Sequence, residues 1–314
     1  MWFFLAALLG LYFLRRWYRE RQTVENLTQK YVFITGCDSG FGNQLARQLD
    51  LKGMRVLAGC LTQQGAEDLE KATSDRLKTT ILDVTSTESV AAAAEWVKEC
   101  VGDKGLWGLV NNAGIAMPMV PNEWLAKKDF EKIINVNLLG LIDVTLHMLP
   151  LVRRARGRVV NISSVLGRLA IFGGGYSPAK YGVEGFSDNL RRELHDFGVQ
   201  LSIIEPGGFS TLVFNKIEES FQKVWDQLSS DIKEAYSQPY FENYCRIFQD
   251  ILNSFSSDFY LVTDCIEHAL LSRYPRTRYS AGQDTKFFIP VSYLPTSVAD
   301  YVLRRYYPKL KRTA

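Results

Sequence analysis

Residues 31–35, Tyr-Val-Phe-Ile-Thr, form a short β-rich apolar run, and Gly36-Cys37-Asp38-Ser39-Gly40-Phe41-Gly42 follows it without a break. An amphipathic stretch then continues to about Leu51. A strand that ends in a glycine loop and turns into a helix is a strong constraint. The glycines let backbone approach a ligand, and the helix start offers free N–H groups and positive potential, which together suit a pyrophosphate. The spacing is T-G-x-x-x-G-x-G, not G-x-G-x-x-G, and a lone glycine loop can be a plain turn. The rest of the chain decides. Apolar runs at 55–60, 77–82, 106–110, 158–162 and 199–204 alternate with helical patterns at 89–101, 129–152 and 176–197. That alternation predicts an α/β fold with a doubly wound parallel sheet, and continuous apolar runs are what strands covered on both faces require.

The pattern breaks after Pro206-Gly207. Residues 209–260 are rich in rings, among them Phe214, Phe221, Trp225, Tyr236, Phe241, Tyr244, Phe248 and Phe255, and are expected to form a helical lid over the sheet. Each ring taken singly is more simply a core residue of that lid. A returning helix at 264–272 and a last strand at either 278–281 or 286–289 complete the domain, residues 30–282.

Both ends differ from the body. Residues 1–14 carry no charge, and Arg15-Arg16-Trp17-Tyr18-Arg19-Glu20-Arg21 follows. Fourteen helical residues span about 21 Å, short of a bilayer core of about 30 Å, but Trp17 and Tyr18 suit the interface and arginines snorkel. A cleaved signal peptide would want charge before the apolar run and small residues after it. An uncleaved membrane anchor over residues 1–18 is expected, with the arginines keeping the body on the cytoplasmic side. The tail, residues 283–314, is apolar and aromatic but broken by Pro290, Pro295 and Pro308, and is expected to lie at a membrane interface.

Composition excludes other classes. The net charge of +3 gives no case for nucleic acid. Five widely spaced cysteines and three isolated histidines form no C-x-x-C or H-E-x-x-H, so neither a disulfide framework nor a metal site is expected. No G-x-S-x-G elbow supports a hydrolase.

Chemistry enters at Gly173-Gly174-Gly175-Tyr176-Ser177-Pro178-Ala179-Lys180. A phenol and an ammonium four residues apart share one helix face, and a nearby ammonium is expected to lower the phenol's pKa. Y-x-x-x-K is common by chance, so its meaning rests on context.

Taken in order, Thr35-Gly36…Gly40…Gly42, Asn111-Asn112-Ala113-Gly114, Ser164, Tyr176…Lys180 and Pro206-Gly207 resemble the motif set of the short-chain dehydrogenase/reductase family. Finer stretches, including residues 34–43, 105–114, 148–152 and 275–282, resemble its microsomal retinol dehydrogenase and 17β-hydroxysteroid dehydrogenase type 6 subgroup. The resemblance implies a Rossmann-like fold binding a nicotinamide dinucleotide. Gly36, Gly40 and Gly42 would cradle the pyrophosphate, with Thr35, Asp38, Ser39 and Phe41 also cofactor-binding. Thr62, Asp83, Val84, Asn111, Asn112, Ala113 and Gly114 would border the adenosine, and Pro206, Gly207 and Thr211 the nicotinamide. Asp83 is read equally well as a turn residue. Tyr176 would be the base, Lys180 its ammonium and a ribose ligand, Ser164 rather than Ser163 the donor to the substrate oxygen, and Asn137 the holder of a water linking lysine to solvent. Asp38, with no basic residue beside it, favours NAD over NADP.

The implied substrates are all-trans-retinol and 3α- or 17β-hydroxysteroids. Gly208 stands where relatives tend to carry a bulky residue, and is expected to widen the pocket beside the nicotinamide. Two rival readings are an NADPH-dependent reductase of retinal or other lipid carbonyls, and a nucleotide-binding scaffold without turnover. The resemblance also implies an endoplasmic reticulum membrane protein and a homodimer through the long helices after the fourth and fifth strands.

Overall fold

The computed structural model describes residues 2–211 and 217–306; Phe214 and Pro308 lie outside the described residues. In chain order the elements are α1 (Trp2–Glu20), β1 (Tyr31–Thr35), α2 (Gly40–Leu51), β2 (Arg55–Cys60), α3 (Gln63–Lys71), β3 (Leu77–Ile81), α4 (Thr87–Val101), β4 (Gly108–Asn111), α5 (Lys127–Ile134), α6 (Leu141–Ala155), β5 (Arg158–Ile162), α7 (Tyr176–Glu193), β6 (Gln200–Pro206), α8 (Ile217–Asp226), α9 (Ser230–Tyr236), α10 (Gln238–Asn253), α11 (Tyr260–Leu271), β7 (Arg278–Ala281), α12 (Thr285–Val291) and α13 (Thr296–Leu303).

The strands form a parallel sheet in the order β3-β2-β1-β4-β5-β6-β7. Side chains alternate between its faces. Val32, Ile34, Val56, Ala58 and Val160 join a core closed by Leu45, Leu49, Ile266 and Leu270 of α2 and α11. Phe33, Leu57 and Val159 join the opposite core, closed by Val90, Val97, Met148, Val152 and Leu190 of α4, α6 and α7. Strands β1, β2, β4, β5 and β6 are buried almost throughout because both of their faces are covered, whereas the edge strands β3 and β7 are more polar and partly exposed. The strand order reverses between β1 and β4, and open α/β sheets bind ligands above the carboxyl ends of strands at such a point.

Three features differ from the sequence reading or settle it. The last strand is β7, and residues 286–289 lie within α12. Helix α3 was not anticipated; it starts where the Thr62 hydroxyl accepts from the Gly65 N–H at 3.1 Å. The long helix anticipated at 129–152 runs from Lys127 to Ala155 with a π-helical segment, Asn135–Gly140, in its middle. It is the stretch among the described residues long and apolar enough to cross a membrane, yet Ile133, Val144, Met148 and Val152 are buried in the body.

The rings of the insertion largely pack on one another. Trp124 meets Trp225 at 5.2 Å and Tyr236 at 5.3 Å between centroids, and Phe221 meets Phe248 at 5.0 Å. This core also takes in Ala116, Met119 and Val120 from the loop after β4, which fixes the lid over the sheet. The tail folds back as well: Val291, Ala299 and Leu303 pack on Leu169 and Ile171. Its Phe287, Tyr293, Val298 and Tyr301 remain exposed. Helix α1 is fastened at its last turn, where Arg276 donates to the Glu20 carboxylate at 2.7 and 2.5 Å and the Arg19 guanidinium sits 4.6 Å from the Tyr274 ring centroid. Leu9, Leu11, Tyr12, Phe13, Leu14 and Trp17 of the same helix are exposed.

Candidate active site

A cavity of ≈ 510 Å³ lies above the carboxyl ends of the strands. Gly36, Asp38, Gly40, Thr62 and Asp83 line one end of it, and Ser164, Tyr176, Lys180 and Gly208 are among the residues lining the other. Ser39, Phe41, Val84, Asn112, Ala113, Gly114, Pro206, Gly207 and Thr211 also face it. Thr35, Gly42, Asn111 and Asn137 do not; they hold its walls. Thr35 Oγ1 accepts from the backbone N–H groups of Asn112 and Ala113, each at 3.0 Å, tying the ends of β1 and β4 together. Asn111 is turned into the sheet, donating to Thr145 and Asn161 at 2.8 Å.

The glycine loop needs its glycines. Gly36 and Gly40 have φ of 70° and 61°, in the left-handed region that favours glycine. A Cβ on Gly36 would lie 2.8 Å from the Ala113 Cα, and one on Gly42 would strike the Gly36 carbonyl. Ser39 caps α2 with no side-chain bond to the helix, which leaves the first N–H groups of α2 open toward the cavity. This cradle fits a pyrophosphate.

Asp38 reaches from the loop to the end of β2, where its carboxylate accepts from Leu61 N at 2.8 Å, Thr62 N at 2.9 Å and Thr62 Oγ1 at 2.7 Å. Asp83 proves to be a turn residue that also lines the cavity: it accepts from Thr85 N at 2.9 Å and Thr85 Oγ1 at 2.7 Å.

At the other end, Tyr176 opens α7 and Lys180 follows one turn later. The Lys180 Nζ donates to the Ile162 carbonyl at 2.7 Å and stands 5.6 Å from the Tyr176 ring centroid. Ser164 accepts from Leu166 N at 3.1 Å and faces the Tyr176 hydroxyl. The expected depression of the Tyr176 pKa does not appear in the free protein. Burial dominates and pushes the phenol up to about 12, with the Ser164 hydrogen bond acting in the opposite direction. Burial likewise lowers Lys180 to about 8, while the Glu184 carboxylate acts to raise it. In both cases removal from water outweighs the opposing partner, the Ser164 hydrogen bond at Tyr176 and the Glu184 charge at Lys180.

Asn137 lies in the π-helical segment in the middle of the long helix. Its side chain is engaged with Ile115, accepting from the backbone N–H at 2.8 Å and donating to the carbonyl at 2.6 Å. It therefore holds the loop after β4 against α5 and α6. Gly208 does not widen the cavity. A Cβ at that position would collide with the Phe255 ring, which fills the vacant space. Backbone bonds from Ser256 N to Gly208 O at 3.1 Å and from Ser210 N to Ser256 O at 3.0 Å hold Phe255 there.

Several lining residues were not anticipated: Met119, Ile251, Asp284, Phe288 and Tyr306. Asp284 is the most consequential. Its carboxylate accepts from Gly208 N at 2.7 Å and from Thr285 N at 3.1 Å, joining the Pro206-Gly207-Gly208 turn to the start of α12. Asp before Thr at the head of a helical stretch is an N-cap pattern, but no local signal ties that cap to a turn 76 residues earlier.

Known proteins resemble this chain in sequence and fold. The family model for short chain dehydrogenase matches residues 30–221. Retinol dehydrogenase 7 of Rattus norvegicus is 61% identical over 96% of both chains, and 17-beta-hydroxysteroid dehydrogenase type 6 of Bos taurus is 61% identical over 98% of both. Retinol dehydrogenase 16 of Homo sapiens is 60% identical over 96% of both. Among solved structures, a short-chain dehydrogenase from Streptomyces avermitilis superposes with a TM-score of 0.68 at 26% identity, covering 88% of this chain and 94% of that one. With its sheet, glycine loop and near-full-length relatives in agreement, the chain belongs to the short-chain dehydrogenase family.

Proposed function

We propose that this protein oxidises the hydroxyl of lipophilic alcohols, retinol and hydroxysteroids, with NAD as hydride acceptor. The observation that carries the reading is one cavity with a glycine-loop helix start at one end and buried Ser164 and Lys180 with the half-buried Tyr176 at the other. Relatives about 60% identical over nearly their whole length carry retinol and 17-beta-hydroxysteroid dehydrogenase names, which supports those two substrate classes.

Gly36, Ser39, Gly40, Phe41 and the open N–H groups of α2 would hold the pyrophosphate. Bound there, an oxidised nicotinamide dinucleotide supplies the hydride acceptor. Asp38 and Asp83 are the charged groups lining the adenosine end, and Lys180 is the one lysine or arginine lining the cavity among the described residues. A 2′-phosphate would meet carboxylates without a basic partner, which supports NAD.

The substrate hydroxyl would sit between Ser164 and Tyr176. Tyr176 takes its proton while the carbinol carbon loses hydride. The Ser164 hydroxyl steadies the oxygen as its charge changes. Ionising a buried phenol is costly, so the base needs the Ser164 hydrogen bond, the Lys180 ammonium behind the ring and the positive charge of the oxidised nicotinamide. Phe248, Ile251, Phe255 and Phe288 line an apolar chamber suited to a polyene or a steroid.

The exposed apolar surfaces of α1 and of α12–α13 support attachment to a membrane, and the arginines after residue 14 support a cytoplasmic catalytic domain on the endoplasmic reticulum. Exposed Leu139, Leu146 and Tyr181 on the long helices support a homodimer through them.

The test is Tyr176→Phe. Oxidation of both substrate classes should fall by at least about 100-fold, while NAD binding, followed by quenching of protein fluorescence, stays intact. Unchanged turnover would refute the assignment of the base.

A further inference from the structure

Beside the Tyr176 end of the cavity, a second cleft of ≈ 440 Å³ opens along α7, lined in part by Arg168, Glu184, Asp188, Arg278 and Tyr293. It holds an ionic network. Arg278 reaches Glu184, Glu205 at 2.9 Å and Asp188 at 2.9 Å, and Arg168 reaches Glu205 at 3.1 Å and the Tyr293 hydroxyl at 2.6 Å. Within it Glu184 is unusual. It is only 7% exposed, and Arg278 occupies one of its oxygens. The other oxygen has no aligned partner, although the Ser163 hydroxyl, equally buried, leans toward it.

Glu184 follows Lys180 by four residues, so the two side chains share a face of α7. Lys180 is enclosed, with its hydrogen bond to the Ile162 carbonyl and the Tyr176 ring nearby. Glu184 is the carboxylate whose field favours its charged form. The other groups around the pair are Asp188 on α7, Ser163, Ser164 and Arg168 from β5 and the turn after it, Glu205 on β6, Arg278 and Ser280 on β7, and Tyr293 from the tail. The π-helical segment packed against α7 brings no charge, and the charged residues of α5 are exposed except Asp129, which caps its own helix.

We propose that Glu184 is a positioning residue for the reaction: held by Arg278, its carboxylate keeps the Lys180 ammonium charged beneath the Tyr176 ring. This rests on the reading of Tyr176 and Lys180 given above. The network then has a function beyond joining α7 to β6 and β7, because it places a negative charge behind an ammonium whose proton burial makes easier to lose. Burial pushes the Glu184 carboxyl upward, Arg278 acts against that rise and holds the carboxylate in place, and removal from water strengthens the field it exerts.

The experiment measures kcat/KM for NAD-dependent retinol oxidation against pH, using full-length enzyme in membranes, for wild type, Glu184→Gln, Glu184→Asp and Tyr176→Phe. In Glu184→Gln the alkaline limb should move down by about one pH unit, so that activity falls several-fold above pH 8 and little at pH 6.5. Glu184→Asp, with its carboxylate one methylene shorter, should lie between wild type and Glu184→Gln. If Glu184→Gln does not fold, a smaller downward shift in Glu184→Asp supports the proposal, and an unshifted limb overturns it. A uniform loss at every pH with an unmoved limb assigns Glu184 a purely structural role and also overturns it. Turnover by Tyr176→Phe would defeat the underlying reading of the site. Inactive Tyr176→Phe beside an unshifted Glu184→Gln defeats this inference alone.

Discussion

Gly208 and Phe255 give the most direct test of how this cavity is built. A Cβ on Gly208 would overlap the edge of the Phe255 ring, and Phe255 cannot simply retreat because Ser256 is bonded to Gly208 and Ser210 on the facing strand of chain. Gly208→Ala should therefore cost about 1–3 kcal/mol, the range for forcing one carbon into a packed site. Backbone strain is not the cause, since Gly208 is absent from the positive-φ glycines. With Phe255→Ala already in place the obstacle is gone. The same Gly208→Ala change should then be neutral, or stabilising by about 0.5 kcal/mol because alanine restricts the unfolded chain. The cycle predicts a coupling of about 1–3.5 kcal/mol. Urea unfolding of the four proteins measures it, and kcat/KM for retinol and for a hydroxysteroid should follow the same pattern, with Phe255→Ala enlarging the chamber. Equal costs of Gly208→Ala in both backgrounds, within about 0.5 kcal/mol, would refute the claim that Phe255 occupies the space glycine vacates.

Three further outcomes follow from the same structure. Asp38→Asn removes the carboxylate facing the adenosine end, and the efficiency with NADP relative to NAD should rise roughly tenfold, the scale of one screened charge pair; steady-state kinetics with each cofactor measures the ratio. Lys180 is lowered from 10.5 to about 8 in the folded protein, so between those values the unfolded chain holds a proton that the folded one has released, and stability rises with pH across that window. Lys180→Met should lack this slope, and its stability advantage over wild type at pH 7, at most about 3 kcal/mol, should vanish by pH 10.5 in parallel unfolding curves. Asp284→Ala loses both the Gly208 hydrogen bond and the cap of α12, costing about 1–2 kcal/mol and raising substrate KM more than it lowers kcat.

Local and distant interactions divide what a single sequence can disclose about this site. The glycine loop, the alternation of strands and helices and the Tyr176–Lys180 pair are written in neighbouring residues, because helix periodicity and turn chemistry act over a few positions. Ser164 was readable from its place after the fifth strand only with a family pattern beside it. Asp284 and Phe255 were not readable, since their roles depend on a tail and a lid folding back onto residues 206–210 from 45 or more positions away. The direction of the Tyr176 shift failed for a related reason. Spacing along α7 gave the ammonium's proximity correctly, but desolvation depends on everything packed around the ring, including Leu166 and Phe172 and the lid above them. A helix supplies the pair, and the enclosing fold sets the energy at which it ionises. That division places the chemical adjustment of this active site in residues such as Glu184, Arg278 and Ser164, which determine how far a buried phenol can be brought back toward neutral pH.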